Sequence, residues 1–393
     1  MMKVPMLDTG ALAHVRTGVG AVLSTEDGPD AVAGAFYARL FAEYPDFRAY
    51  FPPAMDQQRH RLVRAIDYVV AHLDDQQFMP FLHQLGRDHR KHGLSGAHFL
   101  AAQNALIGAF RAAASPADWT PDTDDAWTRV VSMICNTMAV GADTEDLPPY
   151  WGATVVEHER VLADVAVVRL ESDHDIPFAA GQYLSVQIPQ RPRMWRYLSP
   201  AIAPNDYRGI EFHVRRVSAG WVSPAMVSET VVGDRWLLGP PLGGLSLDTS
   251  PGCEDVLMIA GGTGIAPLRA QLMDMAMRSS NPRVHLFVGG EYPSDLYDID
   301  TLWNISRTNP WLTVVPVVEH PEEPWWRPGP AREFPPGMNH TMVGKLGQVV
   351  TRFGSWADRQ IQVCGSPSMV RTTLYALRRV GTPMQNVQHD PLA

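Results

Sequence analysis

Apolar residues recur every three to four positions through the first third of the chain. In GPDAVAGAFYARLFAEYP, Val32, Phe36 and Leu40 fall four apart with Ala35 alongside, and Pro29 stands where a helix start tolerates proline. The spacing predicts an amphipathic helix opening after Asp27 and Gly28. Similar patterns predict helices over roughly 58–73, 76–90, 95–114 and 124–141, so residues 1–148 read as an all-helical domain. Pro148 and Pro149 end it. The period then shortens to two. ATVVEHERV, ADVAVVRLES, QYLSVQIP, IEFHVRRV and DRWLLGPP read as short strands between Gly and Pro turns, which predicts a small antiparallel barrel over 151–250. Near residue 253 the style changes again. DVLMIA, VHLFVGG, LTVVPVVE and IQVCG are continuous apolar runs, and LRAQLMDMAM is helical. Residues 251–393 therefore read as an α/β domain with a buried parallel sheet, with an irregular insertion over 320–345.

Composition agrees with a multidomain chain. Its 393 residues, 45% of them hydrophobic, suffice for two or three cores, and 31 Gly with 33 Pro suit a mixed α and β protein better than a purely helical one. The net charge of -9 and the absence of a Lys/Arg stripe argue against a nucleic-acid partner. No apolar run approaches the length of a membrane span, so a soluble cytoplasmic protein is expected. Cys135, Cys253 and Cys364 lie far apart, form no disulfide framework and fit a reducing compartment.

The candidate chemistry begins at AGGTGIAP, between an apolar strand and a helix. Gly261, Gly262, Thr263 and Gly264 allow close backbone approach, and the helix start at Ile265, Ala266 and Pro267 offers unpaired N–H groups to a phosphate. Alone, this is either a phosphate-binding turn or merely a tight strand-to-helix connection. Two further strand ends support the first alternative: Cys364 and Gly365, followed by Met369, and Gly289-Gly290-Glu291. Strand ends of one open sheet converge on one crevice. Together these residues resemble the ferredoxin reductase superfamily over about 151–393. That resemblance implies a nicotinamide dinucleotide along the first glycine turn, with Cys364, Gly365 and Met369 bordering nicotinamide and flavin. Glu291 stands where a 2′-phosphate would be repelled, which favours NADH over NADPH within an NAD(P)H-binding family.

The same resemblance implies FAD on the barrel. Arg196-Tyr197-Leu198-Ser199 matches a motif in which the arginine meets the pyrophosphate and the serine bonds the flavin. The usual stacking tyrosine falls on Leu198. Either a bulge re-aims Tyr197, or Leu198 covers the ring without an aromatic, because neighbouring strand residues face opposite sides. Val214 and Arg215, then Gly220, Val222 and Ser223, match the remaining flavin elements, and Tyr183 matches an aromatic near the adenine side. The terminal aromatic of relatives falls on Leu392.

The helical domain resembles the globin of flavohaemoglobins over about 5–145. Tyr37 falls on the distal tyrosine, Phe51 on the phenylalanine packed against haem, Gln58 on the distal glutamine and Leu62 on the apolar residue one turn later. A Tyr hydroxyl and a Gln amide can both donate to a partly anionic oxygen. His89 is the implied axial ligand to the iron of haem b, chosen over His92 by register and by the aromatic ten residues on. Two departures stand out. Phe99 occupies the place of a tyrosine and Ala142 that of a glutamate, a pair that in relatives hydrogen-bonds near the proximal histidine. Asp143 is adjacent and can substitute only if the helix ends there. The resemblance implies an NAD(P)H-, FAD- and haem-dependent oxidoreductase acting on dioxygen and nitric oxide, as a nitric oxide dioxygenase. Loss of the proximal pair leaves open a haem/flavin oxidoreductase with another substrate, or a haem-based gas sensor.

Overall fold

The computed structural model describes residues 9–52, 54–75, 78–327, 334–338 and 340–390. The chain divides into two compact units, Met1–Tyr150 and Trp151–Ala393.

The first unit is helical: α1 (Thr9–Leu23), α2 (Gly28–Glu43), α3 (Asp56–Ala71), α4 (Phe78–His89), α5 (Gly96–Ala113) and α6 (Pro121–Asp143). Helix α1 has no clear apolar period along the sequence. Its buried face is built from small residues, Ala11, Val15, Val19 and Val22, interrupted by His14 and Arg16, so its apolar signal is weak. Thr120 caps α6 by accepting the Thr123 N–H at 3.2 Å, with Pro121 in the first turn. Phe110, Trp127, Leu82 and Val130 fill the centre. Two glycines set how closely α4 meets α6. A Cβ on Gly86 would lie 2.0 Å from the Met138 carbonyl oxygen, and one on Gly141 would lie 2.1 Å from that of His83. The helix that ends in His89 therefore lies directly against α6.

The second unit opens with an antiparallel sheet of six strands: β1 (Trp151–Leu162), β2 (Val165–Ser172), β3 (Tyr183–Gln187), β4 (Arg196–Leu198), β5 (Gly209–Arg215) and β6 (Arg235–Leu242), in the order β4-β3-β6-β1-β2-β5, with α7 (Ser223–Ser228) between β5 and β6. One isolated bridge, Pro200 to Phe212, links the chain just past β4 to β5, and the Ala201 N–H donates to the Glu211 carbonyl at 2.7 Å. Trp236, Phe212, Leu184 and, from α7, Met226 form the core of this sheet.

A six-stranded parallel sheet follows. In chain order its parts are β7 (Asp255–Gly261), α8 (Ile265–Ala276), β8 (Val284–Gly290), α9 (Ile299–Thr308), β9 (Leu312–Val318), β10 (Met342–Val343), α10 (Leu346–Thr351), β11 (Arg359–Cys364), α11 (Pro367–Arg379) and β12 (Val387–Gln388). The strand order is β10-β9-β8-β7-β11-β12. After β7 the chain builds outward on one side and then returns to add β11 on the other. The switch point therefore lies between the carboxyl ends of β7 and β11, where open α/β sheets form their ligand crevice. Among the described residues, no helix is long and apolar enough to cross a membrane.

Candidate functional site

In the first unit the expected distal residues converge. Tyr37 is buried on α2, and its hydroxyl donates to the backbone carbonyl of Gln58 at 3.4 Å. Burial pushes its phenol pKa up to about 12, so it stays a protonated donor at neutral pH. The Phe51 ring lies 5.4 Å from Tyr37 and 5.5 Å from Phe41, and Leu62 packs on the same core. Gln58 and Leu62 are one turn apart on α3.

His89 is the last residue of α4. Its Nδ1 lies 2.7 Å from the Leu85 carbonyl, four residues earlier. That contact makes Nδ1 the protonated nitrogen and leaves the Nε2 lone pair to bind a metal. Burial lowers the pKa of His89, so the ring is neutral. His92 lies in the short 3-10 turn beyond the helix, and burial pushes it down to about 3. Phe99 meets His89 edge-on at 5.7 Å, and Ala142 is buried on α6. Helix α6 does end at Asp143, but that carboxylate accepts the Gly96 N–H at 2.9 Å and so holds the N-terminus of α5. The acceptor at His89 Nδ1 is thus a neutral backbone carbonyl. Backbone partners leave no residue-type signal, so sequence reasoning could not single out Leu85. The donor chemistry of this set fits a haem.

In the second unit the switch point brings together the glycine turn and the Cys364–Met369 segment. Ala260 pairs with Cys364, and Gly261 with Gly289. A Cβ on Gly264 would lie 2.3 Å from the Cys364 carbonyl oxygen, and one on Gly365 would lie 2.2 Å from the Met369 methyl. Gly262 has φ +54°, and nothing comes nearer its missing Cβ than the Arg215 guanidinium at 3.8 Å. The turn thus leaves backbone open beside a cation at the start of α8, which fits an anionic dinucleotide. Thr263 completes the turn, and Ile265, Ala266 and Pro267 are buried in the first turn of α8. Glu291 donates its backbone N–H to Asp295 at 3.1 Å.

The flavin residues divide by face. The β3–β4 ladder runs without a shift, pairing Leu184 with Leu198, Ser185 with Tyr197 and Val186 with Arg196. No bulge re-aims Tyr197. It stands exposed on the opposite face from Leu198, edge-on to Tyr183 at 5.2 Å, while Leu198 packs against the sheet core. Arg196 donates to the Trp195 carbonyl at 2.8 Å, and Ser199 follows at the strand end. Val214 and Val222 point into the core and offer only backbone. The Gly220 N–H donates to Val217 O at 3.0 Å, and the Ser223 hydroxyl accepts the Val217 N–H at 3.1 Å, which closes the loop before α7. Arg215 turns toward the nucleotide side, where Asp295 accepts from it at 3.3 Å. Leu392 lies outside the described residues.

Comparison with known proteins assigns these parts. Residues 34–138 match the Globin family, residues 152–246 the Oxidoreductase FAD-binding domain and residues 258–374 the Oxidoreductase NAD-binding domain. The ferredoxin–NAD(P)+ reductase component of a Ralstonia naphthalene 1,2-dioxygenase/salicylate 5-hydroxylase system is 30% identical over 243 residues, covering 60% of this chain and 67% of that protein. The phenol hydroxylase P5 protein of Acinetobacter pittii is 25% identical over 209 residues, covering 50% of this chain and 59% of that protein. The chain thus spans about three-fifths to two-thirds of these relatives. Among solved structures, a flavohaemoglobin from Malassezia yamatoensis shares the fold over 98% of this chain and 100% of its own, with TM-score 0.74 at 14% identity. The chain is therefore a globin domain fused to an FAD- and NAD(P)-binding oxidoreductase of the ferredoxin–NAD(P)+ reductase family, in an arrangement that resembles flavohaemoglobins.

Proposed function

We propose that this chain is a cytoplasmic, flavohaemoglobin-like nitric oxide dioxygenase built from a globin module (1–148), an FAD module (151–250) that closes as a small barrel, and a nicotinamide module (251–393). When bound, NAD(P)H, FAD and haem b supply a hydride, its division into single electrons and an iron that turns nitric oxide and dioxygen into nitrate. The carrying observation is that the Tyr37 ring meets Phe51 and its hydroxyl reaches the Gln58 backbone, in a globin whose α4 ends in His89.

In this proposal His89 ligates iron through Nε2 while Leu85 fixes its tautomer. Tyr37 keeps its proton and would turn its O–H from the Gln58 carbonyl to hydrogen-bond a ligand with anionic character, aided by the Gln58 amide, while Phe51 and Leu62 would exclude water. Arg196 and Ser199 hold FAD, with Tyr183, Tyr197, Leu198, Val214, Gly220, Val222 and Ser223 lining it. The turn from Gly261 to Pro267 cradles the dinucleotide against Arg215, and Cys364, Gly365 and Met369 border the nicotinamide. Glu291 favours NADH over NADPH.

A second proposal has an observation of its own. Phe99, Ala142 and the neutral Leu85 carbonyl give His89 no anionic partner among these three, which favours a haem/flavin oxidoreductase with weak electron push and a different substrate. Nitric oxide consumption with NADH, measured against NADH oxidation in its absence, separates the two. The dioxygenase should consume nitric oxide stoichiometrically with the added turnover. NADH oxidation that nitric oxide does not accelerate would overturn it in favour of the second.

A further inference from the structure

Strand β5 alternates in a telling way. Ile210, Phe212 and Val214 point into the sheet core, while Glu211, His213 and Arg215 share the other face. That face meets the nucleotide half of the unit. Glu211 and His213 are both buried, at 3% and 5% exposure. Oε1 of Glu211 accepts from Arg269 at 2.5 Å and lies 2.9 Å from His213 Nε2, while Oε2 accepts from Arg169 at 2.6 Å. Although burial alone would raise it, His213 and the arginines hold the Glu211 carboxyl well below the usual carboxylate range, so it stays ionised. His213 Nδ1 in turn lies 2.9 Å from the Tyr297 hydroxyl, just before α9.

The position of Arg269 gives this cluster its meaning. It lies on α8 four residues after Ile265, one helical turn beyond the glycine turn. A helix is stiff over one turn, so whatever fixes Arg269 also fixes the N–H groups that face the crevice. The arginine is buried as well, at 8% exposure. An apolar contact would hold the two halves together yet allow sliding. A buried ion pair with fixed hydrogen bonds permits one register only, because any slip leaves a charge unpaired out of water. Arg215, two residues past His213, extends the same face to Asp295 and to the space over Gly262.

We propose that Glu211, together with His213 and Arg269, is the positioning device that sets the nicotinamide-binding glycine turn against the flavin strand for hydride transfer. This rests on the assignment of NAD(P)H-to-FAD electron transfer made above. None of the three touches a cofactor in this scheme. They act through the orientation of α8, where a displacement near 1 Å is enough to cost about a hundredfold in rate.

The test uses the full chain loaded with FAD and haem, mixed anaerobically with NADH in a stopped-flow instrument. For Glu211→Gln the limiting rate of flavin reduction should fall about tenfold to a hundredfold. The NADH dissociation constant from the same titration should change less than about threefold, since the phosphate contacts remain. Flavin content and the haem spectrum should match the parent. As a second pair, Arg269→Lys should recover part of the rate that Arg269→Met loses, at equal flavin content. That rescue is not expected if the residue only fills space. Parental rates in Glu211→Gln with full flavin would overturn the inference, and so would equal rates in the two Arg269 variants, which decide the matter if Glu211→Gln does not fold. If the parent's flavin is reduced by neither NADH nor NADPH, the functional assignment itself fails and takes this inference with it. A normally reduced parent with unaffected variants overturns the inference alone.

Discussion

Between Thr9 and Tyr150 the only buried charged side chains among the described residues are Asp88 and Lys91, paired with each other at 2.7 Å. From Trp151 onward Glu211, His213, Arg269 and Asp295 are all buried and join separate parts of the unit. The hydrogen-bond and ring partners of Tyr37 and His89 are instead neutral, namely the Gln58 carbonyl, the Leu85 carbonyl and the Phe99 ring, with the Asp88–Lys91 pair beside His89 acting through space. The difference follows the ligands each unit is built to take. A haem is gripped mainly by one nitrogen and by apolar packing, and its reactivity responds to small changes in the donor strength of that nitrogen. Flavin and nicotinamide dinucleotides carry phosphates and must meet ring to ring, so charge and fixed register both matter there.

The comparison breaks most completely at His89. If one neutral nitrogen holds the haem, His89→Ala should abolish the Soret band of the purified protein while its flavin absorbance stays at the parental level. His92→Ala should keep both. Haem retained by His89→Ala and lost by His92→Ala would reverse the assignment.

Next in size is the glycine turn. A methyl at Gly264 would sit 2.3 Å from the Cys364 carbonyl oxygen and must push β7 and β11 apart at their ends. Gly264→Ala should slow flavin reduction by NADH about a hundredfold, as expected for a displacement near 1 Å, and leave the haem spectrum untouched. Undiminished reduction would make the turn purely structural.

Arg196 probes charge recognition on the flavin side. Loss of a charge-assisted contact to pyrophosphate costs about 1.5–3 kcal/mol, so Arg196→Ala should bind FAD roughly tenfold to a hundredfold more weakly. Gel filtration followed by flavin quantitation reads this directly. One flavin per chain after filtration of a dilute sample would remove Arg196 from that role.

The smallest effect sharpens the comparison from the haem side. Phe99→Tyr with Ala142→Glu brings an ionisable pair into a unit that buries almost none. The iron–histidine stretching frequency in the resonance Raman spectrum should rise, and the iron potential should fall, more in the double variant than in the sum of the singles. An already high frequency in the parent would mean that Leu85 suffices, and would strengthen the dioxygenase assignment.

Much of this organisation is legible along the chain. The 3.6-residue rhythm around Val32, Phe36 and Leu40, the switch to alternation after Pro149 and the glycine turn after DVLMIA are local patterns, and local patterns follow from backbone geometry and burial on one face. Tyr37 and Phe51 were singled out by resemblance to the globin family and not by periodicity, and their rings lie 5.4 Å apart. Helix α1 escaped because its buried face is made of small side chains with polar residues between them, a weak signal over 15 residues. What the tertiary structure alone decided are pairings between distant residues. Asp143 was free, by sequence, to serve His89, the candidate haem ligand. Packing gave its carboxylate to the Gly96 N–H, 47 residues away. Tyr197 and Leu198 were interchangeable until the unbroken β3–β4 register put them on opposite faces. Glu211 and Arg269 lie 58 positions apart on a strand and a helix that no periodicity relates. A carboxylate carries no mark of which cation it will meet. That choice is made by the close approach of elements in three dimensions, where a buried charge must find its partner or not be buried at all.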